Sequence, residues 1–209
     1  MTPDVRAAGT SALLLTFDSL DEVVSFRAGL TTATLPGVTG VVSGARTLLV
    51  RFDPRLTDAG RLRGGLADVT PHDPAPRDPA VATVVVPVTY DGEDLDTVAE
   101  TTGLTPAEVV AWHTGQLLDE RLLRVRARLQ LPHRHGPPAR PPRRQTARTI
   151  VPSGAVALAG EFSAVYPRAS PGGWQLIGRT AVPMWSLDRD PPALAPAGTR
   201  VRFVEAGPV

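Results

Sequence analysis

A chain of 209 residues with an apolar fraction of 42% can bury a sizeable core, as one large domain or two small ones. A net charge of +1 argues against nucleic acid as a partner, and the lack of cysteine excludes disulfides and thiolate chemistry and makes the cytoplasm the default compartment. Residues 1–6 carry no signal-peptide pattern and no apolar run nears the ~20 residues that span a bilayer, so a soluble protein is expected.

In chain order, residues 11–17 are a short apolar run with strand character. Asp18 and Ser19 can cap a helix reaching about Leu30, with Leu20, Val23, Val24 and Ala28 as its apolar face. A turn at 35–37 leads to a strand at 38–42, a second strand covers 46–52, and a helix is expected over 56–66. Up to about residue 70 the pattern is β-α-β-β-α, a small α/β domain. The Pro- and Asp-rich stretch 71–80 is a linker. A strand at 82–90 follows, of edge type because Pro87 cannot donate to a ladder.

Two short helices are expected at 94–101 and 105–113, the second opened by a capping box with Thr105 at the N-cap and Glu108 three residues on. From 148 onward the pattern is all-β, with strands at 151–158, 162–166, 175–179 and 199–203. Gly172 and Gly173 are expected to supply the positive φ angles of a turn. The whole is α+β: a small N-terminal domain over 1–70, then a β-barrel domain with a helical insert over 81–209.

Several segments carry a family resemblance: Gly9 to Phe17, Leu35-Pro36-Gly37-Val38, Arg46 to Pro54, Val86 to Gly92, and Thr102 to Thr105 with Glu108 and His113. The most specific are Pro142-Arg143-Arg144 with Arg148, Val151 to Gly160, Tyr166-Pro167, and Ser170-Pro171-Gly172-Gly173-Trp174-Gln175-Leu176-Ile177-Gly178-Arg179-Thr180. On these the chain resembles the B subunit family of bacterial 5-oxoprolinase, which is also the Kip-type kinase inhibitor, allophanate hydrolase subunit 1 and carboxyltransferase subdomain C–D family. The resemblance implies a cyclophilin-like second domain.

One stretch departs from the family. Where the family carries Gly-Phe-x-Pro-Gly-Phe-x-Tyr-Leu, residues 117–142 are rich in Arg and Pro and hold no aromatic side chain. All 22 Lys+Arg positions are Arg, and Asn is absent as well. Lys and Asn codons begin with AA, so a GC-rich gene with open alternative frames is implied. Permitted codons for Leu123 to Pro132, shifted by one nucleotide, spell Cys-Gly-Phe-Ala-Pro-Gly-Phe-Ser-Tyr-Leu. Residues 117–142 are therefore expected to be translated out of frame between two compensating indels, and an unbroken reading frame on resequencing would refute this. Arg and Pro cannot replace buried aromatics, so poor packing and weakened function are expected for the literal sequence.

Candidate site residues follow from side-chain chemistry. Arg144, Arg148 and Arg179 suit a carboxylate or phosphate, and Thr180 beside Arg179 could line a barrel mouth. His113 has a structural, hydrogen-bonding role as its first reading. Ser153 lacks a nucleophile elbow and an identifiable base, so it is a ligand contact at most. Gly172, Gly173 and Trp174 complete the candidate ligand-binding set, Trp174 reading as core or interface before substrate stacking. His133 and His135 alternate as a metal pair would, but no carboxylate or third His lies near in sequence, and no metal site is expected.

The resemblance implies a hydrolase subunit of an ATP-dependent 5-oxoprolinase that converts 5-oxo-L-proline to L-glutamate, inactive alone and working with subunits C and A. No phosphate-binding loop is present, so ATP would bind by another arrangement or on a partner. The alternatives are an inhibitor that binds a sensor histidine kinase, or a urea carboxylase or allophanate hydrolase-associated subunit.

Overall fold

The computed structural model describes residues 2–73, 83–120, 125–126, 140–196 and 199–207. They fall into two compact units, Met1–Arg77 and Asp78–Val209. Most of the Arg- and Pro-rich stretch, the His133/His135 pair and linker residues 74–80 lie outside the described residues.

The first unit runs β1 (Asp4–Ala7), β2 (Ala12–Thr16), α1 (Leu20–Thr32), β3 (Val38–Ser43), β4 (Thr47–Phe52) and α2 (Ala59–Ala67). Its strands form one antiparallel sheet in the order β1-β2-β4-β3. The expected pattern thus gains a leading strand. β1 is a largely exposed edge of four residues, and its Asp-Val-Arg-Ala alternation is too short to stand out as a period. Helix α1 is capped by Ser19, whose hydroxyl accepts from the Glu22 amide at 3.2 Å. Its buried face is Leu20, Val23, Phe26 and Gly29 rather than one including Val24 and Ala28. Gly29 fits there because a Cβ would lie 2.5 Å from the Thr70 carbonyl oxygen. Helix α2 starts later than expected, since Leu56 and Thr57 donate back to the Asp53 carbonyl in a turn and Asp58 caps Gly60 and Arg61.

The second unit runs β5 (Thr83–Val88), α3 (Leu95–Thr102), α4 (Pro106–Thr114), β6 (Leu118–Glu120), β7 (Val125–Arg126), β8 (Arg148–Val151), β9 (Ala155–Ala159), β10 (Phe162–Val165), β11 (Ser170–Gly172), β12 (Gln175–Arg179) and β13 (Arg200–Glu205). Seven strands form one sheet in the order β12-β9-β10-β7-β6-β13-β5, and β11 pairs with β8 in a separate ribbon. Among the described strands, only β13 and β5 pair in parallel. Pro87 sits on β5, the last strand of this order, as its missing N–H requires. The content is mixed α and β as expected, but the ladders do not close into a barrel. Arg179 of β12 and Thr89, the residue that follows β5, exchange hydrogen bonds at 2.8 and 2.9 Å in an isolated bridge.

The expected strand at 151–158 is two strands, broken at Pro152-Ser153-Gly154. Gly154 adopts φ +83, and a Cβ there would lie 2.3 Å from the Thr180 carbonyl oxygen, so this turn requires glycine. Conversely, Gly172 and Gly173 have no positive φ: Gly172 belongs to β11, and its missing Cβ makes room for the Tyr166 hydroxyl, which a Cβ would approach to 2.2 Å.

Strand β9 explains the packing. All five residues of Ala-Val-Ala-Leu-Ala are buried, so both faces are covered. Val156 and Leu158 enter the main core with Val86, Val109, Ile177 and Phe203. Ala155, Ala157 and Ala159 face the other way, against Trp174, with Phe162 and Tyr166 packed onto the same cluster. Small residues on that face leave room for large aromatic rings. Burying an aromatic side chain of this size is worth about 1.5–3 kcal/mol or more from transfer alone.

Candidate functional site

Helix α4 begins with the expected capping box: Thr105 Oγ1 accepts from the Glu108 amide, and the Glu108 carboxylate accepts from the Thr105 amide at 2.8 Å. This fixes the rotation of the helix and delivers His113, near its end, into the core. His113 is fully buried, hydrogen-bonded through Nδ1 to the Tyr90 hydroxyl at 2.7 Å and through Nε2 to Ser163 Oγ at 2.8 Å. Its ring stacks on Phe203 at 4.5 Å. Burial pushes its pKa down to about 3, so the imidazole is neutral near pH 7. Burial also raises the Tyr90 pKa, with a further upward push from Glu205. The chain Tyr90–His113–Ser163 resembles a catalytic relay in residue type only. With His113 and Ser163 buried and Tyr90 partly buried, its hydrogen bonds satisfy polar groups in and against the core.

Arg144 and Arg148 converge on one buried carboxylate, Asp94. The Arg144 guanidinium donates to Asp94 Oδ1 at 2.7 Å, and Arg148 Nη2 lies 2.9 Å from both Asp94 oxygens and 3.0 Å from Glu93 Oε2. The Leu176 amide adds a third donor to Asp94, at 2.6 Å. Burial works against ionisation of Asp94. Donors from Arg148, Leu176 and Arg144 outweigh it and hold the carboxyl below the usual carboxylate range. Hydrogen bonding to Asp94 raises the Arg148 pKa in turn. Asp94 precedes α3 but makes no side-chain cap to it.

Arg179 pairs with Asp91 at 2.8 Å in a solvent-exposed bridge, a contact of small energetic weight. Ser153 Oγ donates to the Pro167 carbonyl at 3.1 Å, and the Thr180 amide donates to the Gly154 carbonyl at 2.8 Å. Trp174 is 7% exposed and belongs to the aromatic cluster over β9.

Two surface cavities gather most of the remaining candidates. One, of about 330 Å³, has Arg143, Tyr166, Gly172, Gly173 and Trp174 in its wall. The other, of about 370 Å³, is walled by Ser153, Gly154, Thr180, Met184 and Trp185 and shares Tyr166 and Pro167 with the first. His113, Arg144, Arg148 and Arg179 line neither cavity. Sequence reasoning missed Arg143 and Tyr166 as cavity walls, although both stand inside the segments that carry the family resemblance. Among the described residues, no group of three His, Asp or Glu side chains is gathered as a metal ion would need, and no helix is long and apolar enough to cross a membrane.

The model of the carboxyltransferase domain, subdomain C and D, matches residues 3–195. The B subunit of 5-oxoprolinase from Haemophilus influenzae is 36% identical over 129 residues, covering 59% of this chain and 60% of that protein. The B subunit of 5-oxoprolinase from Bacillus subtilis is 36% identical over 124 residues, covering 58% of this chain and 52% of that one. The chain thus spans 52% to 60% of the length of these curated relatives. The crystal structure of TTHA0988 is similar with a TM-score of 0.70 at 30% identity, over 99% of this chain and 41% of that one. With the family model matched over nearly the whole chain and these relatives in agreement, the chain belongs to the family of the carboxyltransferase domain, subdomains C and D.

Proposed function

We propose that the chain is the B subunit of an ATP-dependent 5-oxoprolinase. In that reaction water adds across the lactam C–N bond of 5-oxo-L-proline to give L-glutamate, while a second water hydrolyses ATP to ADP and phosphate. The observation that carries this reading is the 36% identity to two proteins that are B subunits of 5-oxoprolinase. The cavity walled by Arg143, Tyr166 and Trp174 supports it, being of a size suited to a small ligand.

ATP belongs with the partner subunits in this proposal. Among the described residues, Arg144 and Arg148, the guanidinium pair best suited to phosphates, are engaged by Asp94, which counts against a nucleotide site there. No step is therefore assigned to ATP on this chain. Subunits C and A are the proposed partners, the chain is inactive alone, and the complex is cytoplasmic. We also infer that residues 81–209 form a cyclophilin-like barrel, joined to residues 1–70 by the linker at 71–80. The isolated Thr89–Arg179 bridge supports the barrel.

The test is reconstitution with the C and A subunits of a 5-oxoprolinase. ATP-dependent release of glutamate from 5-oxo-L-proline is expected from the trio and not from the C and A pair. Equal release without this chain would overturn the proposal.

A further inference from the structure

We infer that the cavity bounded by Arg143, Tyr166, Gly172 and Trp174 is a binding site for a small organic carboxylate, with the Arg143 guanidinium as the group that grips it. The inference rests on the proposed function only in its choice of 5-oxo-L-proline as first probe.

Arg143 is the one arginine in the described wall of this cavity. Its neighbours Arg144 and Arg148 are neutralised by Asp94 and Glu93, and Arg179 by Asp91. Among the described residues Arg143 has no carboxylate partner. Its guanidinium instead lies 5.8 Å from the centroid of the Trp174 ring. A guanidinium over an aromatic face keeps its N–H edges free, and those edges match the two oxygens of a carboxylate.

The backbone around Arg143 is held on both sides. The Pro142 carbonyl accepts from Gln175 Nε2 at 2.9 Å, and the Arg144 amide donates to the Gly173 carbonyl at 2.8 Å. The Arg144 side chain is tied to Asp94, and Arg148 Nη1 reaches the Trp174 carbonyl at 3.4 Å. Residues 142–144 and 173–176 are therefore stitched together at several points, which fixes the Arg143 backbone against the Trp174 wall. Such support from neighbouring residues is what a preorganised site needs. The opposite wall is set by Gly172, whose missing Cβ admits the Tyr166 hydroxyl. An added methyl at 172 would displace the ring that stands between the two cavities.

The test uses the full chain and isothermal titration with 5-oxo-L-proline, its uncharged carboxamide, and 2-furoate as a carboxylate of similar size and a different ring. Binding of a carboxylate and not of the carboxamide is expected. Arg143→Gln should weaken it about tenfold or more, the loss of a charge-assisted hydrogen bond, and Gly172→Ala should weaken it through Tyr166. Arg6→Gln, in the other unit, should leave it unchanged. Circular dichroism melts of each variant check that the fold is kept. Failure of the wild-type chain to bind any of the carboxylates overturns the inference, as does undiminished binding by Arg143→Gln. Binding of 2-furoate but not of 5-oxo-L-proline, with loss in Arg143→Gln, upholds the site and counts against the proposed function instead.

Discussion

Asp94 and Arg148, 54 residues apart in sequence, meet with one guanidinium nitrogen 2.9 Å from each carboxylate oxygen. The pair ties the start of α3 to the first residue of β8, and through the Leu176 amide to β12 as well. Asp94 is 4% and Arg148 14% exposed, so the pair is largely withdrawn from water. Removing one partner of such a pair leaves the other charge uncompensated.

Asp94→Asn keeps the shape and removes the charge. It is expected to cost roughly 3 kcal/mol of unfolding free energy, by analogy with broken buried pairs, read by urea denaturation. The folded pKa of Asp94 is depressed, so its contribution is present above the unfolded value of 3.8 and is lost as pH falls through the lower folded value. The wild-type chain should therefore lose stability below about pH 4 more steeply than Asp94→Asn. Identical acid limbs would refute this role.

His113 predicts a separate pH window. Its folded pKa of about 3 lies below the ordinary 6.5, so the unfolded chain binds the proton more readily. Stability from this residue is complete above 6.5 and falls as pH drops, by about 1.4 kcal/mol per pH unit until the folded pKa is reached. Urea midpoints should therefore be lower at pH 5 than at pH 7.5, and His113→Gln should flatten that slope. Imidazole NMR shifts of His113 should stay constant from pH 8 to pH 5; a midpoint near 6.5 would contradict the buried neutral state.

Gly154→Ala tests the turn between β8 and β9. An alanine at φ +83 costs about 1–2 kcal/mol from backbone strain alone, and its Cβ would lie 2.3 Å from the Thr180 carbonyl oxygen. Thermal and urea denaturation should show a loss at or above that range. Gly160→Ala, with φ +58 but open space around the new methyl, should cost less.

Thr105→Ala removes the hydroxyl half of the capping box on α4. About 1 kcal/mol of stability should be lost, and Thr105→Ser should retain most of it. Equal stability of the alanine and serine variants would show the cap to be energetically idle.

Local chemistry was legible in residue types and spacing. The capping box at Thr105 and Glu108, the Ser19 cap, and the strand at 175–179 all depend on neighbours within a few positions, where periodicity and turn chemistry are informative. β1 escaped because four residues, mostly exposed, carry too short an alternation to stand out. The break at 152–154 was signalled by Pro152-Ser153-Gly154 but overlooked between the apolar residues Val151 and Ala155. Gly172 was read as a turn residue, yet its reason for being glycine is the Tyr166 hydroxyl, a contact between β11 and the residue that follows β10.

By itself, then, the sequence determined the family, the mixed α and β class and the order of most elements, because caps, periodicity and motif strings act over short separations. Only the tertiary structure decided which arginines are already spent. Arg144 and Arg148 turn to Asp94, while Arg143, their immediate neighbour, is left facing a cavity. Three arginines in one short segment carry the same charge and the same donors. What separates them is the direction in which the fold points each one, and therefore which carboxylate it can reach.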